Sequence, residues 1–211
     1  MKKLLFTLAI AFLFCSAAVA QNKSLTEFGV YVGLNSSTVE SSGSSSAQPG
    51  SYTYGFNFGV SAEHYFSEGW SIKIKPTYDQ KGWANGFLIL NDGTEVDGID
   101  FRLNYITLPV LASWHFGQTR NWYLNFGPYL GFLASTGESS NSGTDIKSAF
   151  NSVDGGLDFG IGVKIPLSNT ANFFAEYDGQ VGFANVFTQN TGGSFQNVRS
   201  SINIGLSFPL K

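Results

Sequence analysis

Apolar residues recur at every second position through most of this chain, and that spacing constrains its fold more than any other feature. A period of two puts alternate side chains on opposite faces of a strand, whereas an amphipathic helix needs a period of about 3.6. In the C-terminal segment Val198, Ile202, Ile204, Leu206 and Phe208 share one parity, and Arg199, Ser201, Asn203, Gly205 and Ser207 share the other. Leu157, Phe159, Ile161, Val163 and Ile165 likewise oppose Asp158, Gly160, Gly162 and Lys164. Phe173, Ala175, Tyr177, Val181 and Phe183 oppose Glu176, Asp178, Gln180 and Gly182.

Upstream, Phe28, Val30, Val32 and Leu34 alternate with Gly29, Tyr31, Gly33 and Asn35, and Phe56, Phe58, Val60 and Ala62 with Asn57, Gly59, Ser61 and Glu63. Trp70, Ile72, Ile74 and Tyr78 oppose Ser71, Lys73, Lys75 and Thr77. Leu124, Phe126, Leu130 and Phe132 oppose Tyr123, Asn125, Gly127, Tyr129 and Gly131. Between Phe101 and Phe116 the run Ile106, Leu108, Val110, Ala112, Trp114 and Phe116 has a parity that Phe101 and Leu103 lack, which predicts a bulge or face change near 104–105. The chain is therefore read as all-β with eight strands, an even number that suits a closed antiparallel barrel.

The chemistry of the two faces indicates which one points inward. Charged residues are only 13% of the chain and glycines number 25, so the polar parity is mostly Gly, Ser and Asn rather than the Lys and Glu of a water-facing surface. Its charges balance at four of each sign: Glu63, Asp158, Glu176 and Asp178 against Lys73, Lys75, Lys164 and Arg199. Such a set can pair inside a lumen. The apolar parity carries almost no charge and suits hydrocarbon, where a mid-depth Lys or Arg costs about 2–4 kcal/mol. This predicts an eight-stranded antiparallel up-and-down transmembrane β-barrel, with Ile204→Arg blocking assembly and Asn203→Arg tolerated or mildly destabilising.

Connection lengths agree, because membrane barrels alternate short turns with long loops. Short turns are expected at 67–69, 117–121 and 168–171, and long loops at 36–53, 79–100, 136–153 and 184–196, which puts both termini on the periplasmic side. Trp70, Trp114 and Trp122 flank the short turns as one aromatic girdle, and Tyr54, Tyr78, Phe132 and Phe183 supply the other. Lys2 and Lys3 precede an apolar run ending at Phe14, and small residues lead to Ala18-Val19-Ala20, so residues 1–20 read as a signal peptide and 21–211 as the barrel domain. Bulky Phe14 before Cys15 does not fit a lipidation site. Removing this segment takes away the single Cys and single Met and leaves ten basic residues against fifteen acidic ones. Disulfide scaffolds, thiol chemistry and nucleic-acid binding are excluded on those grounds.

The segment Leu103-Asn104-Tyr105-Ile106-Thr107-Leu108-Pro109-Val110-Leu111, with Trp114-His115-Phe116 after it, resembles a strand of the Bacteroidota outer membrane beta-barrel domain family, the porin-like or PorT-like proteins. Phe126-Gly127-Pro128-Tyr129-Leu130-Gly131 is similar to that family's Gly-rich fifth strand. The resemblance implies a small barrel of the OmpX or OmpA transmembrane type in the outer membrane of a Gram-negative cell, inserted by the outer-membrane assembly machinery and surrounded by lipid and lipopolysaccharide. The last aromatic, Phe208, is displaced from the chain end, where many outer-membrane proteins carry it.

No catalytic, cofactor-binding or metal residue is assigned. His64 and His115 both lie beside short turns, where they read as an interfacial and a lumen residue, and the Ser-rich stretch 36–46 has hydroxyls without a base and reads as a solvated loop. The expected loops hold Glu40, Asp79, Asp92, Glu95, Asp97, Asp100, Glu138, Asp145 and Asp154 against Lys81 and Lys147, a surface that could attract Ca²⁺ or Mg²⁺ weakly. Asn91-Asp92-Gly93 reads as a hairpin turn. Lumen-facing glycines make room in a barrel of this size and argue against a diffusion channel. The expectation is a non-enzymatic structural or adhesion barrel, its long loops open to an extracellular ligand. The alternatives are an accessory barrel contacting secretion-machine subunits, a soluble periplasmic lipocalin-like barrel and, more distantly, an outer-membrane lipid hydrolase.

Overall fold

The computed structural model describes residues 25–42, 51–89, 95–139, 146–188 and 193–210. The expected signal segment and the Asn91-Asp92-Gly93 turn lie outside the described residues. Nine strand segments follow in order: β1 (Thr26–Ser42), β2 (Thr53–Tyr65), β3 (Trp70–Ile74), β4 (Thr77–Ile89), β5 (Glu95–Phe116), β6 (Trp122–Glu138), β7 (Val153–Ser168), β8 (Ala171–Gly182) and β9 (Ser194–Leu210). Both β3 and β4 pair with β2 on one side and β5 on the other. They are one wall strand interrupted at Lys75-Pro76, where proline has no N–H to give the ladder. The wall therefore has the eight strands expected.

Each strand pairs antiparallel with its neighbours, and β1 pairs with both β2 and β9, which closes the ring. The closing seam runs from Thr26↔Leu210 to Ser42↔Ser194. Short turns join β2 to β3, β5 to β6 and β7 to β8 at one end; at the other, the connections from β1 to β2, β6 to β7 and β8 to β9 are longer, while β4 to β5 is joined by residues 90–94, no longer than the turn at 117–121. Closure removes sheet edges and satisfies the backbone within the wall, the requirement for a strand structure in hydrocarbon.

The faces lie as the alternation predicts. Phe28, Val30, Val32 and Leu34 point out, as do Phe159, Ile161, Ile202, Ile204 and Leu206, whereas the opposite parity is buried. This outward surface far exceeds the few hundred Å² of contiguous apolar patch usual on a soluble monomer. A soluble lipocalin-like barrel would have needed the reverse arrangement.

Strand ends differ from the expected loop boundaries. Residues 36–42 belong to β1, with the buried Ser37 hydroxyl donating to the Gly82 carbonyl at 3.1 Å, so that part of the Ser-rich stretch is wall. The 79–100 region is largely a paired hairpin whose ladder reaches Ile89↔Glu95. An irregularity does fall at 104–105: Asn104 pairs with Ser135 and Tyr105 with Leu133, which leaves Ala134 as the extra residue. But β5 does not change face there, because Phe101, Leu103, Tyr105 and Thr107 are all buried inside. The interior itself becomes apolar at that height.

Candidate functional site

The lumen is the one region of the described residues where chemically active side chains converge, and it is filled in layers. Nearest the short turns, Lys164 Nζ lies 2.6 Å from Glu27 Oε2, 2.9 Å from Glu63 Oε2 and 2.6 Å from the Tyr65 hydroxyl. Lys73 Nζ is 3.1 Å from Glu63 and sits 4.2 Å from the centre of the Tyr123 ring. Glu63 thus receives two lysines from separate strands, one from its neighbour and one from across the barrel.

At mid-height Lys75, at the break between β3 and β4, reaches to the opposite wall and bonds Glu176 and Asp178 on β8, the latter at 2.9 Å. Arg199 pairs with Asp178 and lies 3.3 Å from Asp79. Neutral amides satisfy much of what remains: Asn35 donates to Asp79 at 2.7 Å, Asn125 to Glu176 at 2.8 Å, Asn203 to Asp178 at 3.0 Å and Gln180 to Asp158 at 2.8 Å. Ion pairs out of bulk water are tolerable only with such added hydrogen bonds, although Asp79 Oδ2, Asp158 Oδ1 and Arg199 Nε are buried without a hydrogen-bond partner among the described residues.

Above this layer Lys81 Nζ is 2.9 Å from Asp154 Oδ2, which also accepts from Tyr129 at 3.1 Å and Asn197 at 3.2 Å. An apolar cluster then closes the long-connection end. Val39, Trp83, Ile99, Phe101, Leu103 and Leu133 from the wall pack with Ile146, Phe150 and Val186 from the connections. Trp83 stacks on Phe101 at 4.8 Å and meets Phe150 and Phe187 edge-on at 5.9 and 5.7 Å. Between Lys73, Lys75, Tyr123 and Glu176 there is a cavity of about 10 Å³, room for about one water molecule.

All eight charges expected in the lumen are there and buried. Asp79, Lys81 and Asp154, expected in the long loops, are 0%, 1% and 2% exposed and belong to the lumen. Glu27 joins them without having been singled out, although it shares the parity of Gly29 and Tyr31. That parity was the available signal. Asp79 and Asp154 are buried and so do not belong to the expected loop cation surface, while Asp92 and Asp145 lie outside the described residues. Among the described residues no group of three or more His, Cys, Asp and Glu side chains could hold a metal.

His64 is exposed at the short-turn end and bonds Thr26 at 3.0 Å through Nδ1. His115 is in the lumen, as expected, and brings together a combination that the sequence does not announce: its Nε2 lies 2.7 Å from Glu63 Oε1 and 3.2 Å from Ser71 Oγ. A hydrolytic triad needs the serine and the carboxylate on different ring nitrogens. Here both address Nε2, and Ser71 also donates directly to Glu63 at 2.6 Å, so the group is a buried hydrogen-bond network.

Outside, Trp70, Trp114 and Trp122 face outward near the short turns, with Trp70 and Trp114 stacked at 6.3 Å. Tyr54, Phe132 and Phe183 are exposed toward the other end, while Tyr78 is half-buried against Phe58 at 5.1 Å. Two aromatic girdles bounding an apolar belt are the mark of a membrane barrel.

Comparison with known structures agrees with this architecture. OprG from Pseudomonas aeruginosa is similar at 13% identity and a TM-score of 0.50, over 89% of this chain and 95% of that one. Neisserial surface protein A is similar at 16% identity and 0.50, over 86% and 96%. A major outer membrane protein from Thermus thermophilus is similar at 13% identity and 0.50, over 88% and 99%. At such identities the likeness concerns the fold alone. No curated protein matches the chain in sequence. The family model described as "Outer membrane protein beta-barrel domain" matches residues 19–188. An apolar belt, a charge-paired lumen and this match lead to one conclusion: the chain belongs to the outer membrane protein beta-barrel domain family.

Proposed function

We propose that the protein is a non-enzymatic integral barrel of the outer membrane whose long connections face outward and serve a structural or adhesive role at the cell surface. Residues 1–20 act as a signal peptide, and both ends of the mature chain stay in the periplasm. The carrying observation is the filled lumen, in which ion pairs bridge the barrel at three heights and the Trp83 cluster closes the long-connection end. A barrel so packed works through its outer surface and connections, not through a water-filled passage. The outer-membrane fraction supplies the test. The protein should migrate differently on a gel with and without boiling, and should give no steady conductance in planar bilayers. A steady open-channel current would overturn the reading.

A PorT-like accessory role is favoured by one observation, the resemblance carried by residues 103–111 and 126–131 to the Bacteroidota proteins. In that role the long connections bind subunits of a secretion machine. Stoichiometric co-purification of such subunits supports it, and a purely monomeric extract counts against it.

A further inference from the structure

Near the long-connection end the outward belt has a gap in its large side chains. A row of paired residues crosses the outside of the barrel from Phe159 through Gly179 and Ser200 to Ser36 and Tyr54. One register step toward the short turns, the same strands carry Ile161, Tyr177, Ile202, Leu34 and Phe56. Three adjacent strands therefore present almost no side chain at a height where their neighbours present large ones. The result is a notch of about 380 Å³ with Gly179 and Ser200 in its floor, Phe159, Tyr177 and Val181 around it, and Tyr52 at its rim.

Wall packing does not require the glycine. A Cβ on Gly156 would meet the Val181 carbonyl oxygen at 1.9 Å and one on Gly205 the Val30 carbonyl oxygen at 2.4 Å, so those positions exclude side chains. A Cβ on Gly179 would have ordinary clearance, its nearest neighbour being the Arg199 carbonyl oxygen at 3.8 Å. The empty space is thus on the membrane side. We infer that this notch binds one acyl chain of a lipid in the surrounding leaflet. The inference rests on the outer-membrane reading above. A single water-sized group needs only about 10–15 Å³ of such space, so a notch of about 380 Å³ admits a run of chain carbons. Phe159, Tyr177, Val181 and Val198 give it apolar outward side chains, while Gln180 and Arg199, which also border it, are buried residues whose side chains bond Asp158 and Asp178 in the lumen. A notch of this shape fits a slender chain better than the convex belt of a second barrel.

The test uses the folded barrel in dodecylmaltoside with palmitoyl-oleoyl phosphatidylglycerol and native mass spectrometry. One phospholipid should remain bound to the wild type. Retention should fall about tenfold, a change of about 1.4 kcal/mol, in Gly179→Leu and separately in Ser200→Leu, and stay unchanged in Val110→Leu on the far wall. Each protein is first checked for the boiling-dependent gel shift. Loss of that shift in the wild type refutes the membrane-barrel reading itself. A normal shift with equal retention in all variants refutes the notch as a lipid site. Retention of free palmitate in preference to the phospholipid, or a dimer that the leucine variants convert to monomer, likewise overturns the inference.

Discussion

Lys164 on β7 and Glu27 on β1 lie 137 residues apart in the chain, yet Lys164 Nζ is 2.6 Å from Glu27 Oε2 across the lumen. Two strands, β8 and β9, separate them in the ring, so the pair forms only when the barrel has closed. Lys164→Met leaves Glu27 and Glu63 without the ammonium they share, and a buried pair deprived of one partner costs about 3–5 kcal/mol. The urea midpoint of the detergent-folded barrel, followed by tryptophan fluorescence, should drop accordingly. Adding Glu27→Gln should restore part of it. An unchanged midpoint would mean that water screens this pair.

Lys81 and Asp154 test whether the layer beneath the aromatic cluster acts as a unit. Lys81→Met and Asp154→Asn should each destabilise the barrel strongly, and the double variant by much less than their sum. A coupling energy of about 0.5–3 kcal/mol is expected from a double-mutant cycle for residues in one network. Strict additivity would place the two side chains in separate environments.

Two glycines give opposite expectations. A Cβ on Gly162 would fall 2.3 Å from Cζ of Tyr123, whose ring also receives Lys73. Gly162→Ala should cost about 1–3 kcal/mol through overpacking. Gly179→Ala should be close to neutral. Thermal unfolding of the two variants side by side checks the contrast, and equal stabilities would contradict the lumen packing.

Ile204 faces lipid, and Ile204→Arg should prevent the gel-shifting form from accumulating, at a cost of about 2–4 kcal/mol at mid-depth. Ile204→Phe should assemble normally. The tolerance expected for Asn203→Arg does not survive the structure. Asn203 is 1% exposed, bonds Asp178 at 3.0 Å and crowds Gly33, whose Cβ would lie 2.0 Å from Asn203 Oδ1. That lumen position has no room for a guanidinium. Assembly of both arginine variants at wild-type levels would contradict both the lipid-facing place of Ile204 and the tight packing around Asn203.

Trp83 shows why part of the site was not legible in the sequence. It lies in a stretch that composition marks as loop, yet the ladder continues through it and the ring is 5% exposed beneath Phe150 and Phe187. In most proteins a change from apolar to polar residues marks a strand end. Here the inward parity is polar along most of its length, so wall and loop look alike, and Asp79, Lys81 and Asp154 pass for loop residues. Phe101 and Leu103 mislead in the opposite sense. Their apolarity suggests the lipid face, but they line the interior where it turns hydrophobic.

What the residues decided alone was alternation: a period of two, an uncharged apolar face and a balanced charged one set the strands, their number and which parity meets lipid. Those are local properties, because side-chain direction follows from strand geometry. What only tertiary structure decided was partnership and depth. Closing eight tilted strands staggers their register. That stagger selects which Lys meets which carboxylate, brings Ser71, His115 and Glu63 together without a catalytic arrangement, and lines up Gly179 with Ser200 on the outside. Distances along the chain do not encode that stagger, so these contacts exist only in the closed barrel.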